Sequence, residues 1–113
     1  MSKTIFAKII DREIPARIVH EDDLCVAFHD VAPRAPMHIL VVPRKPIAML
    51  GEATPEDREL LGHLMVTAAG IARDQGYGDA FRLVVNNGED AGQTVFHLHL
   101  HLMGGRAFSW PPG

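Results

Sequence analysis

The chain has 113 residues, 47% hydrophobic and 22% charged, which suits one folded globular domain and rules out a disordered segment. Eleven Lys and Arg against fourteen Asp and Glu give a net charge of −3, and no basic stripe invites DNA or RNA. The single cysteine, Cys25, excludes an intrachain disulfide and a cysteine-based zinc site.

From Thr4 to about Arg12 the residues Ile5, Phe6, Ile9 and Ile10 recur at helical spacing and predict a short amphipathic helix, which Pro15 forbids from continuing. Lys8 interrupts this stretch, so neither a leader nor a membrane span is expected, and the default setting is the reducing cytoplasm. Ala16–His20 and Cys25–His29, separated by Glu21-Asp22-Asp23, read as a hairpin. After the proline-punctuated loop 30–36, the apolar run from His38 to Val42 reads as a buried central strand.

Thr54-Pro55-Glu56-Asp57 is a helix start, with Thr as N-cap and acids in the first turn. The helix is expected to run to about Gln75 with Leu60, Leu61, Leu64, Met65, Ala68 and Ile71 facing inward, and His63 on the surface. A fourth strand spans Phe81 to Asn86, and a polar connection from Asn87 to Thr94 follows. Five strands, two helices and no βαβ rhythm make the expected class α+β with an antiparallel sheet.

The fifth strand carries the chemistry. In F-H-L-H-L-H-L-M, apolar residues at Phe96, Leu98, Leu100 and Leu102 alternate with His97, His99 and His101. Strict period-two alternation predicts a strand with one apolar and one histidine face, neighbouring imidazoles starting roughly 7 Å apart. Three aligned imidazoles serve as a solvated face, as metal ligands or as a nucleophile with helpers. No carboxylate or Cys follows at ligand spacing, so neither metal nor cofactor is expected. The favoured reading is attack on phosphorus by a neutral imidazole, with the central His99 as the nucleophile. Close imidazoles also disfavour one another's charging, so activity is expected to fall on acidification.

A nucleotide phosphate would need more. The Gly88–Thr94 loop offers backbone N–H groups as an anion nest and Thr94 a hydroxyl. Asp30 offers a carboxylate to ribose, and Ile5, Phe6, Ile9, Phe28 and Val31 an apolar slot for a base.

The sequence His97-Leu98-His99-Leu100-His101-Leu102, followed by Met103-Gly104-Gly105, resembles the motif of the histidine-triad (HIT) family. With T-I-F-A-K-I-I, A-F-H-D, A-P-x-H-x-L-V-x-P, A-G-Q-T-V and the terminal W-P-P-G, the whole chain looks like the Hint branch, the histidine-triad nucleotide-binding proteins. The resemblance implies a single HIT domain over 1–113, with 106–113 as a docking tail. Its fold is a homodimer with one continuous sheet, and its activity is hydrolysis of purine nucleoside phosphoramidates and acyl-adenylates through a nucleotidyl-histidine, releasing AMP. Alternatives are a nucleotide sensor or scaffold acting through partners, and a dinucleoside polyphosphate hydrolase. His99 would be the nucleophile and His101 would bind the α-phosphate, with His97 and His38 supporting them. Asp30 would hold ribose, and Val31, Phe28, His29, Ile5, Phe6 and Ile9 would surround the base. Asn86, Gly92, Gln93 and Thr94 would line the phosphate and leaving-group side, and Trp110 would cross to the other subunit. Two departures from the branch are Ala91, where Gly is frequent, and Thr94, where Ser is common. Some relatives carry extra N-terminal zinc-binding cysteines, which this chain lacks.

Overall fold

The structure, a computed structural model, describes residues 3–113. Its centre is a five-stranded antiparallel sheet of β1 (Ile18–Glu21), β2 (Cys25–His29), β3 (Met37–Pro43), β4 (Phe81–Val84) and β5 (Leu100–Gly104). The spatial order is β1-β2-β3-β5-β4, with β3 central and every one of its residues buried, as its unbroken apolar run predicts. Two helices, α1 (Ile5–Ile10) and α2 (Arg58–Asp74), lie on the sheet. This is the expected α+β architecture.

The alternation of β3 and β5 sorts the chain into two layers. Met37, Ile39 and Val41 face the same side as Leu100 and Leu102, where they pack on Leu64, Ala68, Ile71 and Ala72 of α2. Leu40 and Val42 face the other side, with Val26 and Phe28 of β2 and Phe6 and Ile9 of α1. Because α1 has six residues, against seventeen in α2, it covers less of its face. Thr4 caps α1, its hydroxyl accepting from the Ala7 N–H at 3.1 Å.

Several boundaries differ from the sequence reading. Residues 55–57 form a 3-10 turn, and α2 proper begins at Arg58. The Asp57 carboxylate accepts from the Thr54 N–H at 2.9 Å and from Lys45 Nζ at 2.6 Å, so the helix entry is also tied to the loop after β3. Met65 is more than half exposed and does not join the inward stripe; it follows Leu64 by one residue, about 100° around the helix, and Ala72 is buried instead. The fourth strand stops at Val84, short of Asn86.

The histidine segment departs most. Only Leu100–Gly104 is strand, so His97 and His99 sit on an irregular approach to it. Phe96, expected on the apolar face, is 42% exposed, whereas Leu98, Leu100 and Leu102 are buried. Leu98 nevertheless holds its register by donating its N–H to the Ile47 carbonyl at 2.7 Å.

Candidate active site

A cavity of about 940 Å³ opens on the α1 side of the sheet. His99 and His101 form part of its wall, and their rings lie 5.0 Å apart, closer than a regular strand would place them. The edge of Phe6 meets the His99 ring at 4.9 Å, and Phe28 lies edge-on to Phe6 at 5.4 Å, which fixes one apolar wall. Ile5, Ile9, His29, Asp30, Val31, Asn86, Gly92 and Thr94 also line the cavity, so most of the residues selected from sequence converge on one site.

The hydrogen bonds define the tautomers. His99 Nδ1 is 2.8 Å from the His97 carbonyl oxygen, which only accepts, so Nδ1 carries the proton and Nε2 keeps its lone pair. His97 does not line the cavity. It is buried, with Nε2–H donating to the Pro43 carbonyl at 2.6 Å, and so it anchors the segment that presents His99. The expected row of three equivalent imidazoles is therefore two facing the cavity and one used as a strut.

His101 is set by a relay. The Arg34 N–H donates to His38 Nδ1 at 2.9 Å, so His38 carries its proton on Nε2. That proton points at His101 Nδ1, 2.9 Å away, which leaves His101 with an Nε2–H donor. Asp30 Oδ2 stands 3.4 Å from His38 Nε2, while Asp30 Oδ1 accepts from the Ala32 N–H at 2.8 Å. His38 thus acts on the site through His101 and Asp30.

Burial is the largest cause holding all four imidazoles below the usual histidine range. His101 is lowered to about 4, with the neighbouring His99 and His38 adding to the effect of burial. Mutual repulsion, the cause expected from sequence, is secondary to desolvation. His29, at the rim, is lowered by burial and then by Arg17.

Two predicted residues play different parts. Gln93 is buried and turned away from the cavity: its amide donates to the carbonyls of Ala48 and Val95 at 2.8 and 3.0 Å and accepts from the Gly88 N–H at 2.8 Å. It braces the loop. The loop is also not an open nest, because the N–H groups of Ala91, Gly92 and Gln93 bond to Gly88 or Glu89 carbonyls within the turn. The left-handed positions are Gly88 and Gly92, whereas Ala91 sits in a 3-10 turn with ordinary φ, so its methyl creates no strain. Sequence reasoning missed Ile14, Pro15, Ala16, Arg17, Leu40 and Val95, which also line the cavity. Pro15, read only as a helix stop, also lines the cavity. In the tail, Trp110 is 83% exposed and does not pack on its own subunit.

Comparison with known proteins places this architecture. A model of the HIT domain matches residues 11–108. The chain is 66% identical over 110 residues to an uncharacterized HIT-like protein of Synechocystis, covering 97% of this chain and 96% of that one. Among solved structures, a HIT family hydrolase from Legionella pneumophila superposes with a TM-score of 0.96 at 43% identity, over 98% of this chain and 100% of that one. A HIT family hydrolase from Clostridium thermocellum gives 0.92 at 39% identity, over 96% of each chain.

Proposed function

Because the chain belongs to the HIT domain family, we propose that it is a purine nucleotide hydrolase of the Hint type, cleaving adenosine 5′-phosphoramidates and acyl-adenylates through a nucleotidyl-histidine. The observation that carries this reading is the tautomer of His99: with its Nδ1–H held by the His97 carbonyl, Nε2 is an unprotonated nucleophile on the cavity wall.

The base packs among Phe6, Phe28, Ile9 and Val31, and Asp30 accepts from the ribose hydroxyls. His99 Nε2 attacks the α-phosphorus, forming a P–N bond as the substrate's own P–N or P–O bond breaks. The electron pair leaves with the amine or carboxylate, and an amine takes a proton delivered from the Thr94 side of the cavity. The His101 Nε2–H, oriented by His38, donates to a phosphoryl oxygen and stabilises the charge that builds there. Water then attacks phosphorus, the P–N bond to His99 breaks with its electron pair returning to Nε2, the water's proton replaces the one given to the leaving group or passes to solvent, and AMP departs from the regenerated imidazole. Two copies pair as a homodimer along the β4 edge, extending one sheet across both, and each Trp110 docks on its partner. The test is mass spectrometry of turnover quenched on the millisecond scale. AMP covalently attached to His99 supports the reading; attachment elsewhere, or none under burst conditions, overturns it.

A further inference from the structure

A second group of donor atoms gathers at the other end of the sheet, on residues that do not line the cavity. In the β1–β2 turn, Asp22 Oδ1 accepts the N–H groups of Leu24 and Cys25 at 2.8 and 2.9 Å. That pair of bonds fixes the carboxylate and leaves Oδ2 to face the side chains around it. His20 Nε2 and His63 Nε2 each lie 2.7 Å from Oδ2, and Cys25 Sγ lies 3.5 Å from it. His63, read from sequence as a plain surface residue, reaches from α2 to the same oxygen as a residue of β1. The ligand atoms of His20, Asp22 and Cys25 all lie within 4.8 Å of one another.

We propose that His20, Asp22 and Cys25, with His63 as the fourth donor, form a binding site for one zinc ion that pins the β1–β2 turn to α2. A single cysteine does not make a cysteine-based site, but two imidazoles, a thiolate and a carboxylate make a mixed tetrahedral set. Tetrahedral bonds of about 2.0–2.3 Å put neighbouring donors roughly 3.3–3.7 Å apart, so His20 withdraws from Oδ2 by up to about 1 Å, while His63, which touches Oδ2 but lies outside the close group of His20, Asp22 and Cys25, swings in towards them to complete the set. The charges match: a dication meets one thiolate and one carboxylate. On binding, the Cys25 thiol gives its proton to solvent, and each imidazole shifts its proton from Nε2 to Nδ1. The side chains of His20, His63 and Asp22 are partly open to water while Cys25 is buried beneath them, so an ion enters from outside and reaches sulfur last. Arg44 Nε donates to the Asp22 carbonyl at 2.7 Å and helps hold the turn, and Thr67 hydrogen-bonds the thiol from α2.

Burial beside Asp22 pushes the Cys25 thiol up to about 12, so the metal must displace that proton. The experiment titrates the full-length protein with Co²⁺ and then Zn²⁺. One equivalent of Co²⁺ with a thiolate-to-cobalt charge-transfer band, displaced by Zn²⁺ and accompanied by a raised Tm, is expected. Cys25→Ser should remove the band, and the surface changes His20→Gln and His63→Gln should weaken binding by about tenfold or more. His38→Asn, at the other histidine group, should leave the band intact. Absence of the band in the folded wild-type protein overturns the site, and so does binding that survives His20→Gln and His63→Gln but is lost in His38→Asn.

Discussion

The two faces of the sheet are built from the same strands and put to opposite uses. On the α2 face, Met37, Ile39, Val41, Leu100 and Leu102 are sealed under a seventeen-residue helix. On the α1 face, their neighbours in sequence, His38, Leu40, His99 and His101, lie beside a six-residue helix that leaves a cavity open. A one-residue register slip in β3 or β5 would exchange the two sets and destroy both. The α2 face thus serves stability alone, while the α1 face combines a smaller core of Val26, Phe28, Leu40 and Val42 with the cavity, so a change at a cavity imidazole and one in the α2 layer are separable by mutation.

The largest expected effect breaks the chemical side alone. His99→Asn should lower turnover of an adenosine phosphoramidate by at least about a thousandfold, since it removes the proposed nucleophile, while urea denaturation stays near wild type. Steady-state kinetics and denaturation on the same preparation check both halves; turnover within about tenfold of wild type removes His99 from its role. The complementary change is Ile39→Ala on the sealed face. It should cost about 2–5 kcal/mol of stability through lost burial and a cavity, with kcat per folded molecule unchanged at low temperature. A large fall in kcat at full folding would show that the faces are coupled.

A smaller effect, and one that sharpens the comparison, is pH. The buried imidazoles of the open face have native values below the unfolded 6.5, His101 near 4. Between those limits the unfolded chain binds more protons than the native one, so these residues withdraw stability as pH falls from about 6.5 towards 4, and restore it above. The proposed attack needs the same neutral forms, so kcat should hold to below pH 6 and then fall with apparent values belonging to the group. A kcat inflection at 6.5 or above contradicts a desolvated cluster.

The fold was legible because its signals are local and periodic: the apolar run of β3, the Thr54-Pro55 helix start and the proline stops each dictate one element. The site was legible as a set of residue types, since alternation assigned His99 and His101 to the cavity side. Tertiary contacts supplied the rest. Nothing in F-H-L-H-L-H-L-M says that His97 will bond the Pro43 carbonyl and leave the strand, or that Gln93 will spend its amide on Ala48. The approach of His63 to Asp22 spans 41 residues, and no spacing rule reaches that far.

The smallest expected effect concerns the tail, which belongs to neither face of its own protomer. The Phe108 ring meets the guanidinium groups of Arg82 and Arg106, at 5.0 and 4.2 Å from its centre, and Arg82 also donates to the Ser109 carbonyl at 2.8 Å. These contacts lay the tail along the β4 end of the sheet and leave the Trp110 indole in solvent. An indole buries roughly 150–250 Å² when it docks, and on its own protomer Trp110 is left 83% exposed. If it docks on a second copy near the leaving-group side of that copy's cavity, deleting residues 106–113 should change kcat/KM unevenly across adenosine phosphoramidates with different amines. Bulky amines should change most, by up to about tenfold, AMP affinity should move little, and sedimentation should still show a dimer. A uniform change across the series would make the tail a strap that stabilises the β4 edge without contacting the leaving group.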